Sequence, residues 1–260
     1  MRLTLLSWNV AGRVARAAEQ AELVAGVGAD VVCLQEVTPA TVAAWSERLR
    51  AEGYRLEAAE MPAVRESSRP LGVLIAARAS VRTVPVADVP WPERVLAAHI
   101  DDGLEIVNVH SPISPKPGLA KVLTHEAVHR HLVAGAGHPR LVCGDLNTPR
   151  REHPDGSVWT FARTRGGALR PERGERWDVA ETALIRGLEP EGFRDAFRDR
   201  HGHAVKEVSW AWPRGGGYRL DHVIVSEEID VTDCRYLHEW RTEVKLSDHS
   251  PLIAELRVAR

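Results

Sequence analysis

Cysteine is scarce in this chain: there are three, an odd number, and Cys33 and Cys143 lie inside apolar runs. That spacing excludes a disulfide framework and a cysteine-based zinc site, and it predicts buried, reduced thiols. No apolar stretch is long enough to cross a membrane, and Met1-Arg2 leads straight into a strand-like segment without a signal-peptide pattern. A cytoplasmic protein is expected. Neither a Pro/Gly/Ser linker nor an internal repeat nor a heptad pattern divides the sequence, so residues 1–260 are expected to form a single domain. At 44% hydrophobic, 260 residues can bury a large core. The net charge of -2 gives no overall pull toward a polyanion, so any phosphate recognition has to be local. Lysine is also scarce beside arginine. Arg163, Arg165, Arg170, Arg173 and Arg176 stand among glycines, followed by Arg194, Arg198 and Arg200. They read either as an arginine-biased composition or as a loop that meets a phosphate.

What is present is an alternation of short apolar runs with amphipathic segments. Strands are expected near 3–8, 31–35, 54–58, 72–77, 94–100, 104–109, 140–143, 207–212, 219–225, 229–236 and 252–258. Helices are expected near 14–27, 40–51, 118–135 and 177–187. A single sheet of that many strands splits or curls, so the pattern predicts an α/β fold of two packed sheets flanked by helices, acting as a monomer.

Polar groups recur where those runs stop. Asn9 follows Leu5-Leu6-Ser7-Trp8, Glu36 follows Val31 to Gln35, His110 follows Val107-Asn108-Val109, Asp145 and Asn147 follow Leu141-Val142-Cys143-Gly144, and Asp248-His249 precedes Leu252-Ile253. Such positions converge at one edge of a sheet, where open α/β folds build their sites. Carboxylates with Asn and His suit a hard ion, Mg²⁺ or Mn²⁺, that keeps water and leaves room for a phosphate. Glu36 and Asp248 are the ligand candidates. Asp145 is suited to orient an attacking water, Asn147 to fix a phosphate oxygen, and Asp221 to hold the His249 tautomer.

These motifs, in order Ser7-Trp8-Asn9, Leu34-Gln35-Glu36, Val107-Asn108-Val109-His110, Gly144-Asp145-Leu146-Asn147, Arg219-Leu220-Asp221 and Ser247-Asp248-His249, resemble those of the endonuclease/exonuclease/phosphatase superfamily of metal-dependent phosphoesterases. The resemblance implies a four-layered α/β/β/α sandwich with two mixed sheets packed face to face. It implies that Glu36 binds the metal with help from Asp248 and Asn9, that Asp145 and Asn147 position water and phosphate, and that Asp221 supports His249. Val208 to Trp212, followed by Tyr218-Arg219-Leu220-Asp221, looks most like the recognition loop of exonuclease III-type, abasic-site enzymes. On that resemblance Trp210, Trp212, Tyr218 and Arg219 contact a DNA substrate. One departure is His110-Ser111-Pro112, which is more similar to deoxyribonuclease I and to lipid and small-molecule phosphodiesterases. A histidine there is suited to general acid catalysis, with Glu66 the candidate to orient it.

Two other readings compete. The enzyme acts on a lipid, a nucleotide or another small phosphoester instead of DNA. Alternatively, His125-Glu126-Ala127-Val128-His129 spells the zinc-peptidase pattern on a helix, although no third ligand follows at the extended spacing. Otherwise those histidines are expected on a solvated helix face.

Overall fold

Runs such as Val31–Val37 and Gly72–Ala77 are apolar throughout and cannot present a wet face. In the computed structural model, which describes residues 1–59, 61, 70–101, 103–113, 118–135 and 137–259, they form central strands covered on both sides. In chain order the first strands are β1 Arg2–Asn9, β2 Val31–Val37, β3 Arg55–Ala58, β4 Gly72–Ala77, β5 Val81–Val84, β6 Val95–Ile100, β7 Leu104–His110 and β8 Arg140–Asp145. They continue as β9 Arg151–Glu152, β10 Val158–Trp159, β11 Arg194–Asp195, β12 Trp210–Ala211, β13 Gly217–Tyr218, β14 Asp221–Val225, β15 Ile229–Tyr236 and β16 Leu252–Val258. The helices are α1 Ala17–Val27, α2 Pro39–Ala51, α3 Ala120–Ala134, α4 Gly174–Ile185, α5 Ala196–His201 and α6 His238–Thr242.

Two six-stranded mixed sheets result, ordered β15-β16-β1-β2-β4-β3 and β11-β14-β8-β7-β6-β5. Their inner faces share one core, in which Leu5, Cys33 and Ile75 of the first sheet join Ile106, Cys143 and Val223 of the second. Val24, Trp45 and Trp240 carry α1, α2 and α6 onto the outer face of the first sheet against Leu6 and Leu34. Val128 and Leu184 carry α3 and α4 onto the second, against Val107 and Val142. The fold is thus the four-layered α/β/β/α sandwich expected. Cys33, Cys143 and Cys234 are buried free thiols, as the apolar runs around the first two imply. No helix among the described residues is long and apolar enough to cross a membrane.

Pairing register brings the polar strand ends together. In the parallel pair β1–β2 Asn9 faces Gln35, and in the parallel pair β7–β8 His110 faces Asp145. Antiparallel β14 sets Asp221 opposite Asp145. The ends of β1, β2, β7 and β8 and the start of β14 therefore meet at one edge of the sandwich.

Several elements differ from expectation. The stretch near 207–212 yields only the two-residue β12, because Ser209 instead bridges to the backbone of Leu220 and Asp221. β5, with the half-exposed pattern Val-Arg-Thr-Val, and the short α5 and α6 carry too few periodic residues to be seen in sequence. α5 is started by the Asp195 side chain, which accepts from the Arg198 amide.

Candidate active site

Each polar side chain at that edge is held by its backbone. β2 carries a bulge between Gln35 and Val37, and Glu36 adopts a left-handed φ of 59° there. Pro39 and the capping box of Thr38 and Thr41 then start α2, so the chain cannot extend the strand. A bulge with positive φ re-aims one side chain out of the ladder, and such strain concentrates at functional sites. Asn147, with φ of 52°, is placed the same way. Gly144 has φ of 120°, and a Cβ there would lie 2.1 Å from the Val109 carbonyl oxygen. Only glycine lets β7 and β8 stay paired up to His110 and Asp145.

The side chains converge. Asn9 Nδ2 donates to Asp145 Oδ2 at 3.0 Å and to Glu36 Oε1 at 3.3 Å. The Asn147 amide nitrogen donates to Asp145 Oδ1 at 2.9 Å. His249 Nδ1 lies 2.8 Å from Asp221 Oδ2, which leaves Nε2 facing Asp145 Oδ2 at 3.8 Å. The loop that carries His249 is latched at both sides: Ser247 Oγ donates to the Asn9 carbonyl and accepts from the His249 amide, and Trp8 Nε1 donates to the His249 carbonyl.

Electrostatics follow from burial and this crowding of charge. Burial pushes Asp145 up to about 7, with His249 opposing the rise and Asp221 and Glu36 adding to it. Burial works against a protonated His249, yet Asp221 first and Asp145 next outweigh it and raise the ring to about 10. His249 is an imidazolium at neutral pH. His110 is its opposite: burial, then Arg94 and His249, hold it well below the usual imidazole range.

The partner of His110 is an arginine. Glu66, the expected carboxylate, lies outside the described residues. Arg94 Nη1 stands 2.6 Å from His110 Nδ1 and 3.2 Å from Nε2. A guanidinium only donates, so the shorter contact makes Nδ1 the acceptor and leaves the proton on Nε2. That nitrogen faces Glu36 Oε1 at 3.5 Å and Asp145 Oδ2 at 3.9 Å. A neutral hydrogen-bond donor therefore stands where a general acid was expected.

Other expectations are corrected. Arg219, expected on substrate, is 3% exposed, and its guanidinium is bound by Glu152 and Asp195. Arg163 and Arg198 likewise pair with Asp178 and Glu152. In the peptidase-like motif His125 is buried, with Nε2 2.8 Å from Ser111 Oγ and Nδ1 3.2 Å from the Ala180 carbonyl, while Glu126 pairs with Arg176. α4 covers His125, which therefore does not lie on a solvated face, whereas His129 and His131 are half-buried and Arg130 is exposed. Asp248 is exposed and accepts from Trp210 Nε1 at 2.8 Å. Trp210 and Tyr218 are half-buried and Trp212 is exposed.

Arg94 and one buried ion pair carried no signal in sequence. Lys121 Nζ donates to the Asn147 carbonyl at 2.7 Å and pairs with Glu181 at 2.8 Å. Glu181 also accepts from Trp177 Nε1, Thr148 Oγ1 and the Phe161 amide. A charged pair with every neighbour satisfied thus holds the Asn147 turn from below.

The donor chemistry at the edge fits a hard cation. Glu36 and Asp145 offer carboxylate oxygens, Asp221 Oδ1 is buried with no partner among the described residues, and ligand atoms of Asp145, Asp221 and His249 lie within 4.8 Å of one another.

Residues 6–249 match the model of a family described as Endonuclease/Exonuclease/phosphatase. No curated protein matches at a significant level. Among solved structures the chain is similar to an AP endonuclease from Archaeoglobus fulgidus, at TM-score 0.71 and 20% identity over 97% of this chain and 98% of that one. It is similar to the 3' phosphatase NExo from Neisseria bound to a product DNA hairpin, at TM-score 0.70 and 21% identity over 98% and 99% of the two chains. TDP2 of D. rerio with a single-strand DNA product gives TM-score 0.68 and 16% identity over 99% of each chain. At such identities the likeness carries the fold.

Proposed function

The chain belongs to the endonuclease/exonuclease/phosphatase family of metal-dependent phosphoesterases, and from that premise we propose that it is a DNA nuclease of the exonuclease III or abasic-site type. The observation that carries this reading is the convergence of Asn9, Glu36, Asp145, Asn147, Asp221 and His249 at one edge, with the aromatic hairpin β12–β13 beside it. The named activities of the similar structures are consistent with it. Residues 1–260 act as one catalytic domain and as a monomer. The three buried thiols fit a reducing, cytoplasmic setting.

Glu36, Asn9 and Asp248 would hold Mg²⁺ or Mn²⁺. Within the Asp145–Asp221–His249 cluster, whose ligand atoms lie within 4.8 Å of one another, His249 Nδ1 is already engaged by Asp221. When bound, the ion offsets negative charge that develops on the phosphoryl and leaving oxygens.

The chain supplies the rest. Asp145, ionised above about 7, takes a proton from water as the water oxygen attacks phosphorus in line. The bond from phosphorus to the leaving oxygen breaks on the opposite side, and solvent protonates that oxygen. His249, held by Asp221, donates from Nε2 to a phosphoryl oxygen. His110 donates from its own Nε2. Asn147 donates Nδ2 to the Ser111 carbonyl at 2.7 Å and to Asp145 Oδ2 at 3.4 Å, so it acts by holding Asp145 through its backbone amide and its side chain.

Labelled duplexes carrying an abasic site, a 3'-phosphate or neither test the reading, with Mg²⁺ or Mn²⁺ and EDTA controls. Cleavage at the abasic site or from a 3' end, lost with EDTA, is expected. A lipid, nucleotide or other small phosphoester is the second reading, favoured by His110 in its neutral, Arg94-held form, and hydrolysis of bis-p-nitrophenyl phosphate without any DNA cleavage would select it.

A further inference from the structure

Several arginines of the second half are paired with carboxylates, as with Arg163, Arg176, Arg198 and Arg219. Arg150, Arg151, Arg165 and Arg214 are different. None of the four forms an ion pair among the described residues, and all four gather around one aromatic surface.

That surface is built by the Trp212-Pro213-Arg214-Gly215-Gly216-Gly217 turn. Gly215 and Gly216 have φ of 89° and 78°, and a Cβ on Gly217 would lie 2.0 Å from the Trp210 carbonyl oxygen, so the glycines let β12 and β13 close tightly. Pairing sets Trp210 against Tyr218, with rings 6.1 Å apart and 8° from parallel. Trp212 meets Tyr218 edge-on at 4.8 Å and keeps 38% of its surface exposed, so part of its ring is left for a partner. The second wall comes from the segment after Asn147. There Arg150 lies over Phe161 and Arg151 over Trp159, at 5.8 and 5.3 Å to the ring centroids.

Between the walls runs a hollow of about 430 Å³ lined by Arg150, Arg151, Trp159, Arg165, Trp212 and Tyr218. It continues past Arg165 and Trp212 into a second, of about 510 Å³, beside Arg214. No acidic side chain among the described residues lines either. The segments that line the hollow are tied to the catalytic edge through the chain: Trp210 pairs with Tyr218 across the hairpin. Trp210 donates to Asp248, and Arg150 stands three residues after Asn147.

We propose that this groove binds an unpaired DNA strand that leaves the active site, with arginines on its phosphates and Trp159, Trp212 and Tyr218 against its bases. Exposed aromatic faces are useful only to bases that are not already stacked inside a duplex, and unpaired cations in a chain of net charge -2 complement a polyanion locally. The inference rests on the DNA nuclease reading and deepens it, because it names the form of DNA that the enzyme holds.

The test is binding, measured apart from turnover. Fluorescence anisotropy of a labelled oligothymidylate of about ten nucleotides, in EDTA, is compared with that of a blunt duplex, using the full chain and the variants Arg151→Gln/Arg165→Gln and Trp212→Ala. Arg50→Gln, exposed on α2 and remote from the groove, is the control. The single strand is expected to bind more tightly than the duplex. The double arginine variant should lose about tenfold or more in affinity and flatten the salt dependence by about 0.7 log units per arginine, and Trp212→Ala should lose about tenfold. Arg50→Gln should bind like wild type. Preference for the duplex, no single-strand binding, or equal losses in Arg50→Gln and the groove variants would overturn the groove. Wild-type cleavage of DNA on a gel, run in parallel, reports on the nuclease reading independently. A cleaving enzyme whose groove variants bind normally overturns this inference and leaves that reading intact. An enzyme that neither cleaves nor binds DNA overturns both.

Discussion

Asp145 and Asp221 stand directly opposite one another across the β8–β14 ladder, two buried carboxylates that His249 bridges from Nδ1 and Nε2 at 2.8 and 3.8 Å. Like charges opposite in a sheet repel. The imidazolium offsets that repulsion, and in turn the pair holds the proton on the ring. Replacing Asp221 by Asn removes the foremost of the influences that raise His249. Its pKa should fall from about 10 toward the ordinary value near 6.5. The direction follows because a carboxylate favours the charged ring and its loss leaves burial to favour the neutral one. We expect turnover about 10²- to 10⁴-fold lower, with the alkaline limb of the pH–rate profile moved toward neutrality. An unmoved alkaline limb would mean that another group sets it.

Glu36 is predicted to govern metal binding without supporting the fold, because the shared core between the sheets does not include it. Mg²⁺ at about 100 times its dissociation constant should stabilise the wild type by about 2.7 kcal/mol. Thermal melts of wild type and Glu36→Gln, each with and without Mg²⁺, check this. The wild type should gain several degrees and the variant little, both melting cooperatively in EDTA.

Lys121 is fully buried against Glu181 and donates to the Asn147 carbonyl. Lys121→Met leaves the Glu181 charge uncompensated, at a cost of about 3–5 kcal/mol, and frees the turn that aims Asn147 at Asp145. A melting temperature roughly 10 °C lower is expected, with kcat reduced at temperatures where the variant is folded and KM little changed. Normal kcat in folded Lys121→Met would reduce the pair to a structural brace.

Glu152 is held at about 2 by Arg219 and Arg198 against the opposing effect of burial. A depressed carboxylate stabilises the fold above its unfolded pKa, and that stability is lost as pH falls toward the folded value. Glu152→Gln should therefore cost about 3 kcal/mol at pH 7, and the difference from wild type should shrink between pH 4.5 and about 2. Urea unfolding at several pH values measures it, and a gap independent of pH would rule out the ion pairs as its source.

The convergence of polar side chains at one edge was legible because several of them end a continuous apolar run. Asn9, Glu36, His110 and Asp145 are polar residues where a buried strand has to stop, and parallel pairing then requires neighbouring strand ends to lie together. Residue type alone failed elsewhere. Arg219 sits beside a catalytic motif, yet it is a buried counter-ion whose partners Glu152 and Asp195 lie in short segments with no periodic pattern. His125 reads as a surface residue of α3, but α4 packs over it, and no pattern within one helix reveals what covers it. Arg94 was invisible for a related reason: only tertiary packing brings it to His110.

Asp145, raised by burial at this edge, is the proposed base of a metal-dependent hydrolysis. The most direct measurement is turnover of an abasic-site duplex in Mg²⁺ by wild type and by Asp145→Ala, with circular dichroism to confirm that both are folded. Metal-dependent cleavage by the wild type and a loss of at least about 10²-fold in the variant are expected. Near-normal turnover by folded Asp145→Ala would contradict that role.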